Sequence, residues 1–185
     1  MAHRVCPWWL GYLLASPLRR WMQDPVAIVG PFVSDGMVVL EPGPGMGFFT
    51  LELARRVGPE GRVIAVDVQP KMLEGLVKRA TRAGLAARID ARLPKGESLG
   101  LEDYAGKVNF TLAFAMVHEV TNPVALFADI RKALMPGGKL LIAEPVGHVS
   151  SEAFEASLRQ AGEAGLVLDS RPTIRRSHAA VLVRS

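Results

Sequence analysis

Cysteine is almost missing from this chain: of 185 residues only Cys6 carries a thiol. That excludes an intramolecular disulfide and points to a reducing, cytoplasmic setting. Long apolar runs are missing too. Although 49% of the residues are hydrophobic, no run approaches the roughly 18 needed to cross a bilayer. Charge of one sign is scarce: 22 Lys and Arg against 18 Asp and Glu leave a net +4. The arginines, among them Arg19, Arg20, Arg55, Arg56, Arg171, Arg175 and Arg176, are dispersed along the chain. A dispersed excess solvates a surface and does not build a phosphate track, which disfavours a nucleic-acid partner. There is no Gly-Lys-Ser/Thr, hence no Walker loop. Without internal repeats or a separating linker, the chain reads as one domain over 1–185.

Within that domain, residues 1–36 read as an N-terminal helical lid. The opening "MAHRVCPWWLGYLLASPLRRW" has a basic start and an apolar middle, but Pro7 and two tryptophans interrupt it and Arg19-Arg20 follow at once. It therefore reads as an apolar lid and not as an export signal. Residues 37–185 carry the periodic pattern of a core. "MVVLE" (37–41), "RVIAVDV" (62–68), "ARIDARL" (87–93), "KVNFTLAFAM" (107–116) and "KLLIAEPV" (139–146) read as strands. Helices are expected at 48–57, at 70–84 with Pro70 opening and Gly84 closing, at 123–135 stopped by Pro136-Gly137-Gly138, and at 150–165. Two last strands fill 166–184. Alternating strands and helices indicate an α/β, Rossmann-like, doubly wound and mostly parallel seven-stranded sheet. The final pair has no intervening helix, so the C-terminal edge is expected to be antiparallel.

The stretch "LEPGPGMG" (40–47) sits between the first strand and the first core helix. A glycine turn there lets a ligand lie against bare backbone and aims N–H groups at it. The dinucleotide pattern G-x-G-x-x-G fails, because Phe48 stands where its third glycine belongs; the pattern is E-x-G-x-G-x-G. Glu41 would repel a pyrophosphate and suits a ligand with positive charge.

These residues resemble the first motif of class I S-adenosylmethionine-dependent methyltransferases. "FAMVHEV" (114–120) is similar to that family's fourth-strand motif, and "LMPGGKLLIAEP" (134–145) to its Leu-x-Pro-Gly-Gly segment. The similarity runs over roughly residues 37–183. It implies S-adenosyl-L-methionine as cofactor, held by Glu41, Gly43, Gly45 and Gly47 and by Asp67 at the end of the second strand. Asp67 would accept both ribose hydroxyls, each charge-assisted bond being worth about 1.5–3 kcal/mol. Val68, Met72 and Ala115 complete the implied set. Glu97, with Ser98, stands where the family has an acidic residue facing the adenine amino group. The third-strand segment departs from the family by being arginine-rich and lacking the usual Asp. The competing reading of Asp67 is a cap on the turn at Gln69-Pro70.

Methyl transfer from a sulfonium needs an acid–base group only when the acceptor must lose a proton. The chain lacks an Asn/Asp-Pro-Pro-aromatic motif, has Cys-Pro and not Pro-Cys, and has too few cysteines for arsenite chemistry. A small-molecule acceptor is the expectation. The alternatives are a nicotinamide-dinucleotide oxidoreductase and a non-catalytic cofactor-binding partner protein. His118 and His148, after the fourth and fifth strands, are the candidate catalytic residues, with Glu119 and Glu144 nearby. His3 and Cys6 are expected to close over them from the lid. Acid–base chemistry or plain positioning is favoured over a soft metal ion held by these four, so no metal is expected. Trp8, Trp9, Tyr12 and Trp21 read as core before pocket.

Overall fold

The computed structural model describes residues 23–185, in two compact units that divide between Pro94 and Lys95. Most of the expected lid, with His3, Cys6, Trp8, Trp9, Tyr12 and Trp21, lies outside the described residues. Residues 23–94 contain α1 (Pro25–Val29), β1 (Val38–Pro42), α2 (Thr50–Arg56), β2 (Arg62–Val66), α3 (Pro70–Arg82) and β3 (Ile89–Arg92). Residues 95–185 contain β4 (Val108–Phe114), α4 (Pro123–Ala133), β5 (Leu134–Pro145), α5 (Ser151–Glu163), β6 (Leu166–Ser170) and β7 (Ser177–Arg184).

Local chemistry starts the helices where side chains can hold the first free N–H groups. Asp24 accepts from Val26 N at 2.9 Å, Asn122 from Ala125 N at 3.2 Å and Ser150 from Ala153 N at 3.2 Å. Proline occupies the first turn of α1, α3 and α4, where its missing N–H costs nothing.

In the first unit β1 pairs with β2, and β2 with β3, all parallel. Val39, Leu40, Val63, Ile64 and Ala65 are fully buried, as strands covered on both faces must be. Ala65 packs with Leu73 and Leu76 of α3, and Ile89 and Ala91 close the cluster. In the second unit β4 and β5 are parallel, while β7 runs antiparallel to both β5 and β6. Phe110, Phe127, Ile130, Leu140, Leu141 and Ile142 fill its interior. The strand order is β3-β2-β1-β4-β5-β7-β6. This is the mostly parallel seven-stranded α/β arrangement with an antiparallel C-terminal edge expected from the sequence.

Three boundary differences bear on the loops around the site. The helix expected over 123–135 ends at Ala133, and β5 already begins at Leu134, five residues early. Pro136 bars Met135 from helical backbone. Leu134 pairs with Val108, and the register then shifts before Phe110 meets Lys139, so Pro136-Gly137-Gly138 bulges within the strand and does not separate two elements. The strand expected over 87–93 is shorter, because Ala86–Arg88 forms a 3-10 turn. Finally β2 stops at Val66, which leaves Asp67 just beyond the strand, where its side chain can serve the loops.

Candidate active site

The glycine turn begins at the buried end of β1, where Glu41 is 4% exposed and lies level with Ala65 of β2. Its glycines do different work. Gly47 has φ +81°, and a Cβ there would stand 2.3 Å from Leu76 Cδ1, so this position lets α3 pack against the turn. Gly45 has φ +54°, yet no described atom lies within 4 Å of where its Cβ would be. That backbone is bare toward open space, which a packing glycine has no reason to be.

Asp67, 7% exposed, ties the turn in place. Gly45 N–H donates to its Oδ2 at 3.1 Å and Gln69 N–H to its Oδ1 at 2.9 Å. The first residue of the α3 cap is thus Gln69, and Asp67 brackets that cap while it also grips the glycine turn. Gly43 N–H donates to Val66 O at 2.9 Å, a further bond between the two strand ends. The Arg79 guanidinium donates to Met46 O from α3, and burial lowers its pKa. Val68, next to Asp67, is 62% exposed, whereas Met72 is 4% exposed and belongs to the interior.

A bound S-adenosylmethionine fits this chemistry. Glu41 and Asp67 are buried acceptors suited to cationic and hydroxyl donors, Gly45 offers backbone contact, and Val68 presents apolar surface for a base. A pyrophosphate would face the wrong charge.

The remaining expected residues lie in the second unit. Glu97 is exposed in a tight turn closed by mutual backbone bonds of Lys95 and Ser98. Ser98 Oγ and Leu99 N both donate to Asp129 of α4, at 2.9 and 2.8 Å, which fixes that loop. Ala115 follows β4 with φ +54°, a left-handed backbone that costs a non-glycine residue about 1–2 kcal/mol, and its N–H donates to Ala143 O at 2.7 Å. The turn sends the chain into the 3-10 helix Val117–Glu119.

His118 sits on that 3-10 helix, with its Nδ1 on Oε2 of Glu144. Glu144 is 1% exposed, and its Oε1 accepts from Val117 N at 2.8 Å and Met116 N at 3.2 Å. The hydrogen bond to Glu144 holds the His118 pKa above the ordinary histidine value, more strongly than desolvation lowers it. Glu119 Oε1 stands 4.0 Å from its Nε2. His148, exposed in the loop after β5, meets the His118 ring edge-on with centroids 6.1 Å apart. Both histidines line a pocket of about 330 Å³ with Val117, Val120, Val149 and Ser157. Among the described residues no group of three or more His, Cys, Asp or Glu could hold a metal ion.

The structure brings the His118 and His148 rings together and places Glu144 behind His118. Glu144 was visible only as a neighbour; its signal was a carboxylate closing an otherwise apolar strand, "LLIAEP". Asp129 and Arg79 carry no motif, and their partners lie about 30 residues away in the chain.

Residues 33–170 match the family model of a methyltransferase domain. The chain is 30% identical over 126 residues to the ubiquinone/menaquinone biosynthesis C-methyltransferase UbiE of Hydrogenovibrio crunogenus, covering 68% of this chain and 48% of that protein. The same enzyme of Pseudomonas putida is 30% identical over 141 residues, covering 75% and 54%. The chain spans about half the length of these relatives. In fold it is similar to a SAM-dependent methyltransferase from Aquifex aeolicus, with TM-score 0.87 at 22% identity over 98% of this chain and 100% of that one. A SAM-dependent O-methyltransferase from Thermotoga maritima superposes with TM-score 0.70 at 18% identity, over 87% and 64%. The chain belongs to the methyltransferase domain family, within the class I S-adenosylmethionine-dependent methyltransferases. S-adenosyl-L-methionine is the cofactor that goes with this family, and neither the oxidoreductase nor the non-catalytic alternative finds support in these matches.

Proposed function

We propose that the chain is an enzyme that moves a methyl group from S-adenosylmethionine to a small-molecule acceptor. The observation that carries the reading is the build of the glycine turn within a matched methyltransferase domain: a bare Gly45 held to a buried Asp67, beside a buried Glu41. When bound, the cofactor supplies an electrophilic methyl group on a sulfonium. Glu41, Gly43, Gly45 and Gly47 would hold its charged end, Asp67 its ribose hydroxyls, and Val68, Met72, Glu97, Ser98 and Ala115 its base and surroundings. His118 and His148 serve the acceptor. The curated relatives are named as quinone-pathway C-methyltransferases; that supports a small organic acceptor and leaves the methylated atom to experiment.

The dispersed arginines speak against a nucleic-acid substrate. Among the described residues no helix is long and apolar enough to cross a membrane. The single cysteine supports a cytoplasmic setting. The test is incorporation of labelled methyl from the cofactor into a cell-extract metabolite pool. A labelled small molecule is expected. Label only in RNA, DNA or protein would overturn the acceptor class.

A further inference from the structure

Two residues of α3, one helical turn apart, both bear on Met46 of the glycine turn. Gly75 is buried in ordinary helical backbone, where glycine is a poorer helix former than alanine. A Cβ there would stand 2.9 Å from Met46 Cγ and 3.1 Å from its Sδ, so Met46 occupies the space that the missing side chain leaves. Arg79, the next residue along that face, donates from its guanidinium to the Met46 carbonyl, 33 residues away in the chain. Arginine in the last turn of a helix ordinarily stays in water, as the exposed Arg82 of α3 does. Arg79 instead turns inward and is half-buried, although burial disfavours its charge. Packing alone would be served by an apolar side chain, which has no charge to desolvate.

The carbonyl that Arg79 holds belongs to the peptide joining Met46 to Gly47. The N–H of that peptide donates to Pro44 O at 3.0 Å, closing a β-turn over residues 44–47 whose first central residue is Gly45, at φ +54°. The Met46–Gly47 peptide is therefore fixed at both of its polar atoms. The Pro44–Gly45 peptide is fixed too, because its N–H donates to Asp67 Oδ2 at 3.1 Å. Between the two lies the bare backbone at Gly45. Asp67 alone could not set it, since glycines on either side of Met46 leave the chain its widest conformational freedom. A ligand that lies on a fixed turn meets a surface already in shape. A turn free to rock would have to be ordered on binding, at the expense of affinity.

We propose that Arg79 is a positioning residue for the cofactor: by holding the Met46 carbonyl to α3, where Gly75 makes room for that residue, it keeps the glycine turn in the shape that S-adenosylmethionine binds. The inference rests on the methyltransferase reading above and adds to its site two residues that lie outside the glycine motif. Arg79 acts through Met46 and not by contact with the ligand. A guanidinium suits the task, because its charge strengthens the bond to a carbonyl and its planar fork loses little freedom on being held.

The full chain is compared with its Arg79→Met, Arg79→Lys and Gly75→Ala variants. Calorimetry with S-adenosylhomocysteine reads affinity, and urea unfolding reads stability. Amide hydrogen exchange without ligand reads the turn at Gly45 and Gly47, whose N–H groups are both bonded. Arg79→Met keeps an apolar stem and loses the donor. Its affinity is expected to fall about 10-fold, with exchange at Gly45 and Gly47 speeding up while the amides of β1 and β2 keep native rates. Arg79→Lys restores a charged donor and should bind within about 3-fold of native. Gly75→Ala is the second arm should Arg79→Met fold poorly: its methyl displaces Met46 within a helix that alanine favours, and affinity is again expected to fall several-fold. Native affinity and native exchange at the turn in Arg79→Met and Gly75→Ala would overturn the proposal, even with a lowered urea midpoint, which a purely structural role would also give. A loss in Arg79→Lys equal to that in Arg79→Met would overturn it as well. Failure of native protein to bind S-adenosylhomocysteine would instead sink the underlying methyltransferase reading, while exchange at Gly45 and Gly47 still decides whether Arg79 fixes the turn.

Discussion

Gly45 and Gly47 are two residues apart in the same turn, both with positive φ, and the structure gives alanine at each a different fate. At Gly45 the new methyl meets no described atom, so the folding cost is the left-handed backbone alone, about 1–2 kcal/mol. At Gly47 the same strain is joined by a methyl 2.3 Å from Leu76 Cδ1, an overlap that adds about 1–3 kcal/mol. Gly47→Ala is therefore expected to destabilise by about 2–5 kcal/mol, a large part of the 5–15 kcal/mol typical of a domain. Gly45→Ala should fold nearly normally and lose cofactor. A methyl where the ligand lies should weaken S-adenosylhomocysteine at least about 10-fold, and Gly45→Val about 100-fold or more, by analogy with overpacked sites. Urea unfolding reads the first effect as a midpoint shift at constant slope; calorimetry reads the second. Native-like binding by Gly45→Ala, or equal stability of Gly47→Ala and Gly45→Ala, would refute these assignments.

Two other perturbations follow from the second unit. The His118 pKa is raised in the folded state by Glu144, so the pair's contribution to stability is complete below the unfolded value of about 6.5 and is lost as pH rises through the folded one. Native protein should therefore lose stability over that window relative to His118→Gln; urea midpoints measured from mildly acid to mildly alkaline pH would show parallel curves if the account is wrong. Ala115→Gly should stabilise by up to about 1 kcal/mol, because glycine accepts φ +54° without strain and gives back part of that in chain entropy. A thermal unfolding shift to lower temperature would count against strain at that position.

Much of the helix pattern was legible because its signals are local. Asp24, Asn122 and Ser150 announce helix starts through bonds two or three residues long. The glycine turn announces itself because the left-handed backbone that Gly45 and Gly47 adopt favours glycine. What stayed hidden depends on distant partners. His118 and Glu144 are 26 residues apart and meet only once β4 and β5 pair. Asp129 reaches Ser98 across 31 residues. The early start of β5 was masked by Pro136-Gly137-Gly138, which ends most elements but here forms a bulge because Leu134 already has a partner in Val108. Glu97 was placed by family position alone, and its exposure in a tight turn leaves the adenine contact as a proposal to be tested by substitution.

The most direct measurement is a calorimetric titration of the full chain with S-adenosylhomocysteine. The account expects saturable one-to-one binding at low-micromolar to submillimolar affinity, weakened by Asp67→Asn, which removes the negative charge at the pivot of the glycine turn. Absence of heat with that ligand, alongside saturable binding of a nicotinamide dinucleotide, would contradict it.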